Sequence, residues 1–275
     1  MSDCNHQCSF CSTSSGCQEK EQNERVINNT KGVRSVIGVV GGKGGVGKSL
    51  VTSLLAIQTQ RLGYRAAVLD ADITGPSIPK IFGIHQHAQT EDDNLLPFVT
   101  AEGTKVMSLN LLLENETDPV FWRGPVISGV VKQFWEDVKW GDVDFMFVDM
   151  PPGTGDAPLT VFQSLPIAGI VVVTSPQDLV SMIVEKAVNM ARMMNVPVLG
   201  IVENMSYYEC PHCGERSEIF GRSHIDETAH RFNIPAAARL PINPKLAAAS
   251  DAGLIEIYEG RLAERNHGVP DRTDK

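Results

Sequence analysis

The sequence predicts an α/β fold: a mostly parallel sheet with helices on both faces, in three αβα layers. Three observations predict it. Short apolar runs such as Ser35–Val40 (S-V-I-G-V-V) and Val143–Val148 (V-D-F-M-F-V) have the length and continuity of strands buried on both faces. Segments of helical spacing alternate with them, the pattern of a parallel sheet built from crossovers. A glycine loop, Gly41-Gly42-Lys43-Gly44-Gly45-Val46-Gly47-Lys48-Ser49, falls between the first such run and the first helical segment. Strand, glycine loop and helix are in the order an anion-binding helix N-terminus requires.

The elements follow in order. Residues 1–32 are rich in Ser, Asn, Gln and Glu and read as a flexible leader. The globular part starts at Val33, with Ser35–Val40 as its first strand. Leu50–Leu62 places Leu54, Leu55, Ile57 and Leu62 at roughly helical spacing. Ala66–Asp70 reads as a second strand. Lys105–Leu109 reads as a third, after a turn-rich insert at Gly83–Asn94. Val126–Val138 has helical period. Val143–Val148 and Ile167–Val173 are strands, Leu179–Met194 a helix, and Val198–Val202 a strand. Tyr207–Phe220 reads as an irregular loop or hairpin around a cysteine pair. Ala236–Leu240 is the expected last strand, followed by helices at Pro244–Asp251 and Leu254–Arg265. This gives a leader at 1–32, one domain at 33–265 with a cysteine loop at 207–220, and a polar tail at 266–275. No internal repeat is visible.

Composition narrows the function. The chain carries 24 Lys and Arg against 33 Asp and Glu, a net charge of −9. That disfavours broad nucleic-acid binding, which draws on clustered cations. No apolar stretch reaches membrane-spanning length, and the N-terminus is unlike a signal peptide. Gly260–Lys275 lacks an apolar face. Nucleic acid and membrane are therefore not expected partners, and a cytoplasmic location is expected. The six cysteines fall in two groups, Cys4, Cys8, Cys11 and Cys17, then Cys210 and Cys213. Such grouping points to metal or redox chemistry rather than an evenly stapled disulfide scaffold.

Gly42–Ser49 satisfies G-x-x-x-x-G-K-S/T. Gly42, Lys43, Gly44, Gly45, Val46 and Gly47 supply backbone N–H groups to a phosphate chain. Lys48 neutralises the outer phosphates, the Ser49 hydroxyl holds Mg²⁺, and Leu50 continues the nucleotide-binding run. Lys43 is not needed for the cradle and can face a second subunit. Asp149 ends an apolar strand, where a carboxylate holds a Mg²⁺-bound water. The Met150–Asp156 turn after it suits a γ-phosphate sensor. Asp70 and Asp72 end another strand at the carboxyl edge of the sheet and share a face. One of them is placed to orient an attacking water; a helix cap ahead of Pro76 is the other reading of Asp72.

The loop Lys43–Ser49 resembles the deviant Walker A motif of the SIMIBI class of P-loop ATPases, which includes MinD, ParA and the nitrogenase iron protein. Asp70–Pro79 (D-A-D-I-T-G-P-S-I-P), Asp149–Asp156 (D-M-P-P-G-T-G-D) and Asn204–Cys213 (N-M-S-Y-Y-E-C-P-H-C) are similar to the Mrp/NBP35 branch, also called ApbC. The resemblance spans about residues 33–260. It implies a P-loop NTPase sheet and an ATP-hydrolysing homodimer that carries an iron–sulfur cluster to apo iron–sulfur recipient proteins. It implies Lys43, Lys48 and Asp72 as catalytic groups, with Lys43 reaching the partner's nucleotide and Asp72 positioning water. It also implies Ser49, Asp72 and Asp149 around Mg²⁺, and Asn204 against adenine; a turn cap is the other reading of Asn204.

Cys210-Pro211-His212-Cys213 supplies two thiolates where a closed site needs four ligands, and a two-fold dimer would double the pair. The resemblance implies one bridging [4Fe–4S] cluster. A zinc site assisted by His212 or His224, or a redox disulfide, fits the same spacing. The leader ending Cys8-x2-Cys11-x5-Cys17 resembles the N-terminal ferredoxin-like motif of NBP35-type members and implies a second cluster. Cys4 departs from that pattern, whose first cysteine lies farther upstream, and His6 is an alternative ligand; zinc is the alternative metal. A MinD/ParA-like positioning ATPase would leave the cysteines unexplained. An electron-transfer ATPase like the nitrogenase iron protein holds its cluster with single, widely separated cysteines.

Overall fold

The computed structural model describes residues 32–72, 75, 77–92, 94–112, 124–153, 155–176, 180–260 and 264–265. The leader with Cys4, His6, Cys8, Cys11 and Cys17, and the tail after 265, lie outside the described residues, as do Leu179, Thr154 and positions 73, 74 and 76.

In chain order the elements are β1 (Val33–Gly41), α1 (Lys48–Arg61), β2 (Ala66–Asp70), α2 (Ile78–Ile81), β3 (Gln89–Glu91), β4 (Asn94–Leu96), β5 (Phe98–Val99) and β6 (Lys105–Ser108). Then come α3 (Gly124–Glu136), β7 (Val143–Asp149), α4 (Asp156–Ser164), β8 (Ile167–Thr174), α5 (Val180–Met193) and β9 (Val198–Glu203). The chain continues through β10 (Tyr208–Glu209), β11 (Arg216–Ser217), α6 (Ile225–Phe232), β12 (Ala237–Arg239), α7 (Pro244–Asp251) and β13 (Glu264–Arg265). Among the described residues the main sheet runs β13-β12-β9-β8-β1-β7-β2-β6-β5. Its two outer strands, β13 and β5, pair antiparallel; the strands between are parallel.

Sheet and helices enclose two apolar cores, one on each face. Val39, Val68, Val106 and Phe147 pack with Val51, Leu54 and Ile57 of α1. Val40, Leu69, Met146, Val148 and Ile170 pack with Phe134 of α3, Phe162 of α4 and Val184 of α5. Successive strand residues point to opposite faces, so a continuous apolar run feeds both cores, giving the expected three layers.

Strand order explains the site. The crossover from β1 through α1 reaches β2, while the crossover from β7 through α4 reaches β8 on the other side of β1. Right-handed crossovers running in opposite directions put their helices on opposite faces. A crevice opens at the carboxyl ends of the strands between them. Gly41, Asp70, Asp149, Thr174 and Glu203 all end strands there.

Three expectations change. Among the described residues Leu254–Arg265 does not form the expected helix: Ile255–Ile257 is a 3₁₀ turn, and Glu264–Arg265 adds an antiparallel strand to β12. The backbone there gains partners by covering an open sheet edge. Ala236–Leu240 is therefore not the last strand. Helix capping also leaves Asp72 aside, since Ser77 occupies the cap position of α2. The short helices α2, α4 and α6 and the β3–β4 hairpin, which starts in the insert and runs past it, have no counterpart in the sequence reading.

Candidate nucleotide site and cysteine knuckle

β1 delivers the glycine loop to the crevice, and α1 begins at Lys48. Gly47 caps that helix at φ 81°, and a Cβ there would lie 2.2 Å from Asn204 Nδ2. Only glycine fits both the left-handed backbone and the close approach. Gly153 N–H donates to the Gly41 carbonyl at 2.9 Å, fastening the turn after β7 to the base of the loop.

Lys48 is buried, with Nζ 2.8 Å from Asp149 Oδ1 and 3.3 Å from Asp72 Oδ2. These two ion pairs hold the ammonium at the base of the loop. Ser49 donates its hydroxyl to Asp149 Oδ2 at 2.6 Å. Thr52 Oγ1 lies 2.9 Å from Asp149 Oδ1 and 3.0 Å from the Lys48 carbonyl, its one proton shared between them. Asp70 is buried behind this group. Its Oδ2 accepts from Ser108 at 3.1 Å and its Oδ1 from the Asp72 N–H at 3.2 Å. Burial first, and the Asp149 charge next, push the Asp70 carboxyl well above the usual carboxylate range, against the pull of Lys48.

The structure thus brings Lys48, Ser49, Asp72 and Asp149 into one cluster. Lys43 is half-buried in the loop, and Gly44 and Gly45 are exposed. Asn204 donates Nδ2 to the Val46 carbonyl at 3.0 Å and accepts the Met205 N–H on Oδ1 at 2.9 Å. Sequence reasoning missed Thr52 and Ser108; Gly153 lies in the Met150–Asp156 turn read there as a γ-phosphate sensor. Only Thr52 carried a signal, one helical turn beyond Lys48 and Ser49. The donor set of Ser49, Asp72 and Asp149 fits Mg²⁺, a hard cation that takes hydroxyl and carboxylate oxygen, and the Lys48 cation beside it fits a phosphate.

The cysteines lie elsewhere, on the β10–β11 hairpin. Cys210 N–H donates to the Glu215 carbonyl and Gly214 N–H to the Cys210 carbonyl, each at 2.9 Å. Both thiols are free; Cys210 is half-buried and Cys213 exposed. The Cys213 N–H first, then the His212 N–H and the Cys213 thiol, lower the Cys210 pKa and favour its thiolate. Among the described residues no group of three or more His, Cys, Asp or Glu is placed to hold a metal. His224 pairs with Glu227 at 3.2 Å, and among the described residues no zinc site with Cys210 and Cys213 is assembled.

Sheet order, glycine loop, lysine and strand-end carboxylates define a P-loop nucleotide-binding protein. More narrowly, the chain belongs to the NUBPL iron-transfer P-loop NTPase family, whose ParA-group model matches residues 32–267. It is 45% identical over 259 residues to an iron–sulfur cluster carrier protein of Clostridium perfringens, covering 91% of this chain and 90% of that one. A protein of the same name from Methanocaldococcus jannaschii is 39% identical, covering 92% and 90%. Among solved structures it is similar to a nucleotide-binding protein of Archaeoglobus fulgidus in complex with ADP: TM-score 0.76, 43% identity, covering 83% and 90%. MinD of Pyrococcus horikoshii, at 18% identity and TM-score 0.57 over 82% and 87%, shares the fold. Among the described residues no helix is long and apolar enough to cross a membrane.

Proposed function

We propose that this chain is an ATP-hydrolysing carrier that holds a [4Fe–4S] cluster between two copies of itself and passes it to apo-proteins in the cytoplasm. The observation that carries this reading is the half-complete ligand set. Cys210 and Cys213 are free thiols on an exposed hairpin, with no further ligand assembled beside them among the described residues. Four thiolates close a cluster site, and a two-fold partner supplies the missing pair. The names of the relatives support the cargo.

ATP enters as substrate at Gly42–Leu50. Lys48 leaves its carboxylate partners for the outer phosphates, and Lys43 reaches the nucleotide of the second copy. Ser49 and Asp149, with Asp72, are the groups that would hold Mg²⁺. When bound, that ion neutralises charge on the phosphate oxygens. Asp72 orients the attacking water, and Asp149 keeps the Ser49 hydroxyl in place. Loss of the γ-phosphate frees the turn that Gly153 ties to Gly41, and the two copies shift about the cysteine hairpins. The test is transfer of reconstituted cluster to an apo-ferredoxin without oxygen. Cys210→Ser/Cys213→Ser is expected to bind ADP normally and to lose transfer; transfer at the wild-type rate would contradict the reading.

A further inference from the structure

We propose that Asn204 couples the phosphate loop to the cysteine pair within one chain, so that phosphate binding alone alters the reactivity of Cys210 and Cys213. This rests on reading Gly42–Ser49 as a phosphate site, and it adds a route independent of motion between two copies. Asn204 follows β9 and is buried. Its Nδ2 bonds the Val46 carbonyl in the middle of the loop and sits in the space that a side chain on Gly47 would fill. Any rearrangement of Val46 and Gly47 around a phosphate therefore moves the amide or breaks its bond.

From Asn204 the chain enters the outgoing limb of the hairpin with little slack. Met205 is held at φ 57°. Ser206 N–H donates to the Leu240 carbonyl at 2.9 Å, Ile242 N–H donates to the Tyr207 carbonyl at 2.7 Å, and Ser206 Oγ donates to buried Glu203 at 2.6 Å. The returning limb is rooted at the same edge. It ends in α6, which packs against β9 and buries Ile225 and Ala229 in the core, while on the outgoing side the final Thr174 carbonyl of β8 accepts the Asn204 N–H at 2.8 Å. Residues 211–222 between the roots are exposed, so the knuckle can follow its roots without disturbing a core. Asn204 thus joins the loop by its side chain and the hairpin root by its backbone, a contiguous network of the kind that carries coupling.

Inorganic tripolyphosphate is the probe, because it fills the loop and has no base for Asn204 to read. The full chain, without added iron and dilute enough to size as a monomer, is alkylated with iodoacetamide with and without saturating tripolyphosphate. Rates at Cys210 and Cys213 are followed by peptide mass spectrometry. The wild type is expected to change about fivefold, and folded Asn204→Ala, at saturation, less than about twofold. An unchanged wild-type rate with tripolyphosphate bound by calorimetry overturns the coupling and leaves the nucleotide reading standing. Failure of tripolyphosphate to bind overturns the phosphate site and the coupling with it. A full response in Asn204→Ala removes Asn204 from the route. If that variant does not fold, hydrogen exchange at the Cys210 and Gly214 amides of the wild type decides; an exchange rate unaltered by tripolyphosphate overturns the coupling.

Discussion

Lys48 shows most clearly what a single residue does here. Its ammonium is the cation paired with Asp149 and Asp72, and it also opposes the shift of Asp70, so one buried charge faces three carboxyl groups. Removing one partner of a buried ion pair leaves the other uncompensated, at a cost of about 3 kcal/mol. Lys48→Met keeps the stem and removes the charge, and is expected to lower stability by about that amount in urea unfolding. Adding Asp149→Asn should restore most of it, a non-additive double-mutant cycle; additive losses would show that the lysine does not neutralise Asp149. At this scale the sequence was readable where a motif fixes spacing. Lys48, Ser49 and Asp149 were identified from their patterns and meet in space. Thr52 and Ser108 were not, because each hydroxyl acquires its role from a carboxylate on a different element. Asn204 stood out by its motif, yet its bond to Val46 depends on two strand ends meeting.

At the scale of elements, the strands buried on both faces were legible because burial demands an unbroken apolar run. β5 and β13 were not: each is two residues long and exists only by its pairing, β5 with β6 across a short turn and β13 with β12 from farther along the chain. The start of β7 is fixed by charge instead. Asp144 accepts the Arg65 N–H at 2.9 Å and the Arg65 guanidinium through both oxygens at 3.1 Å, with Arg34 at 3.2 Å. The Arg65 side chain and backbone N–H lower the Asp144 pKa from 3.8 to about 2. A carboxylate depressed on folding stabilises fully above its unfolded value and loses that contribution as pH falls through its folded value. The urea midpoint of wild type should therefore exceed that of Asp144→Asn at neutral pH. The gap should close between about pH 4 and about pH 2. A gap constant down to pH 2 would mean that Asp144 acts through packing or hydrogen bonding alone.

For the whole molecule, the fold places a nucleotide crevice and a cysteine knuckle at one edge of the sheet, while one chain assembles only two thiols at the knuckle among its described residues. Fold and phosphate site were legible because geometry repeats across proteins that share a parallel sheet. The iron–sulfur reading came from the family resemblance and not from the cysteine spacing, since soft sulfur ligands serve zinc and iron–sulfur clusters alike. Metal and sulfide analysis of the full chain carrying Cys4, Cys8, Cys11 and Cys17→Ser, reconstituted without oxygen and weighed by native mass spectrometry, isolates the Cys210 and Cys213 pair. The account predicts about four iron and four sulfide per two chains, in a dimer that Cys210→Ser abolishes. One zinc per chain, or a cluster held by a monomer, would contradict it.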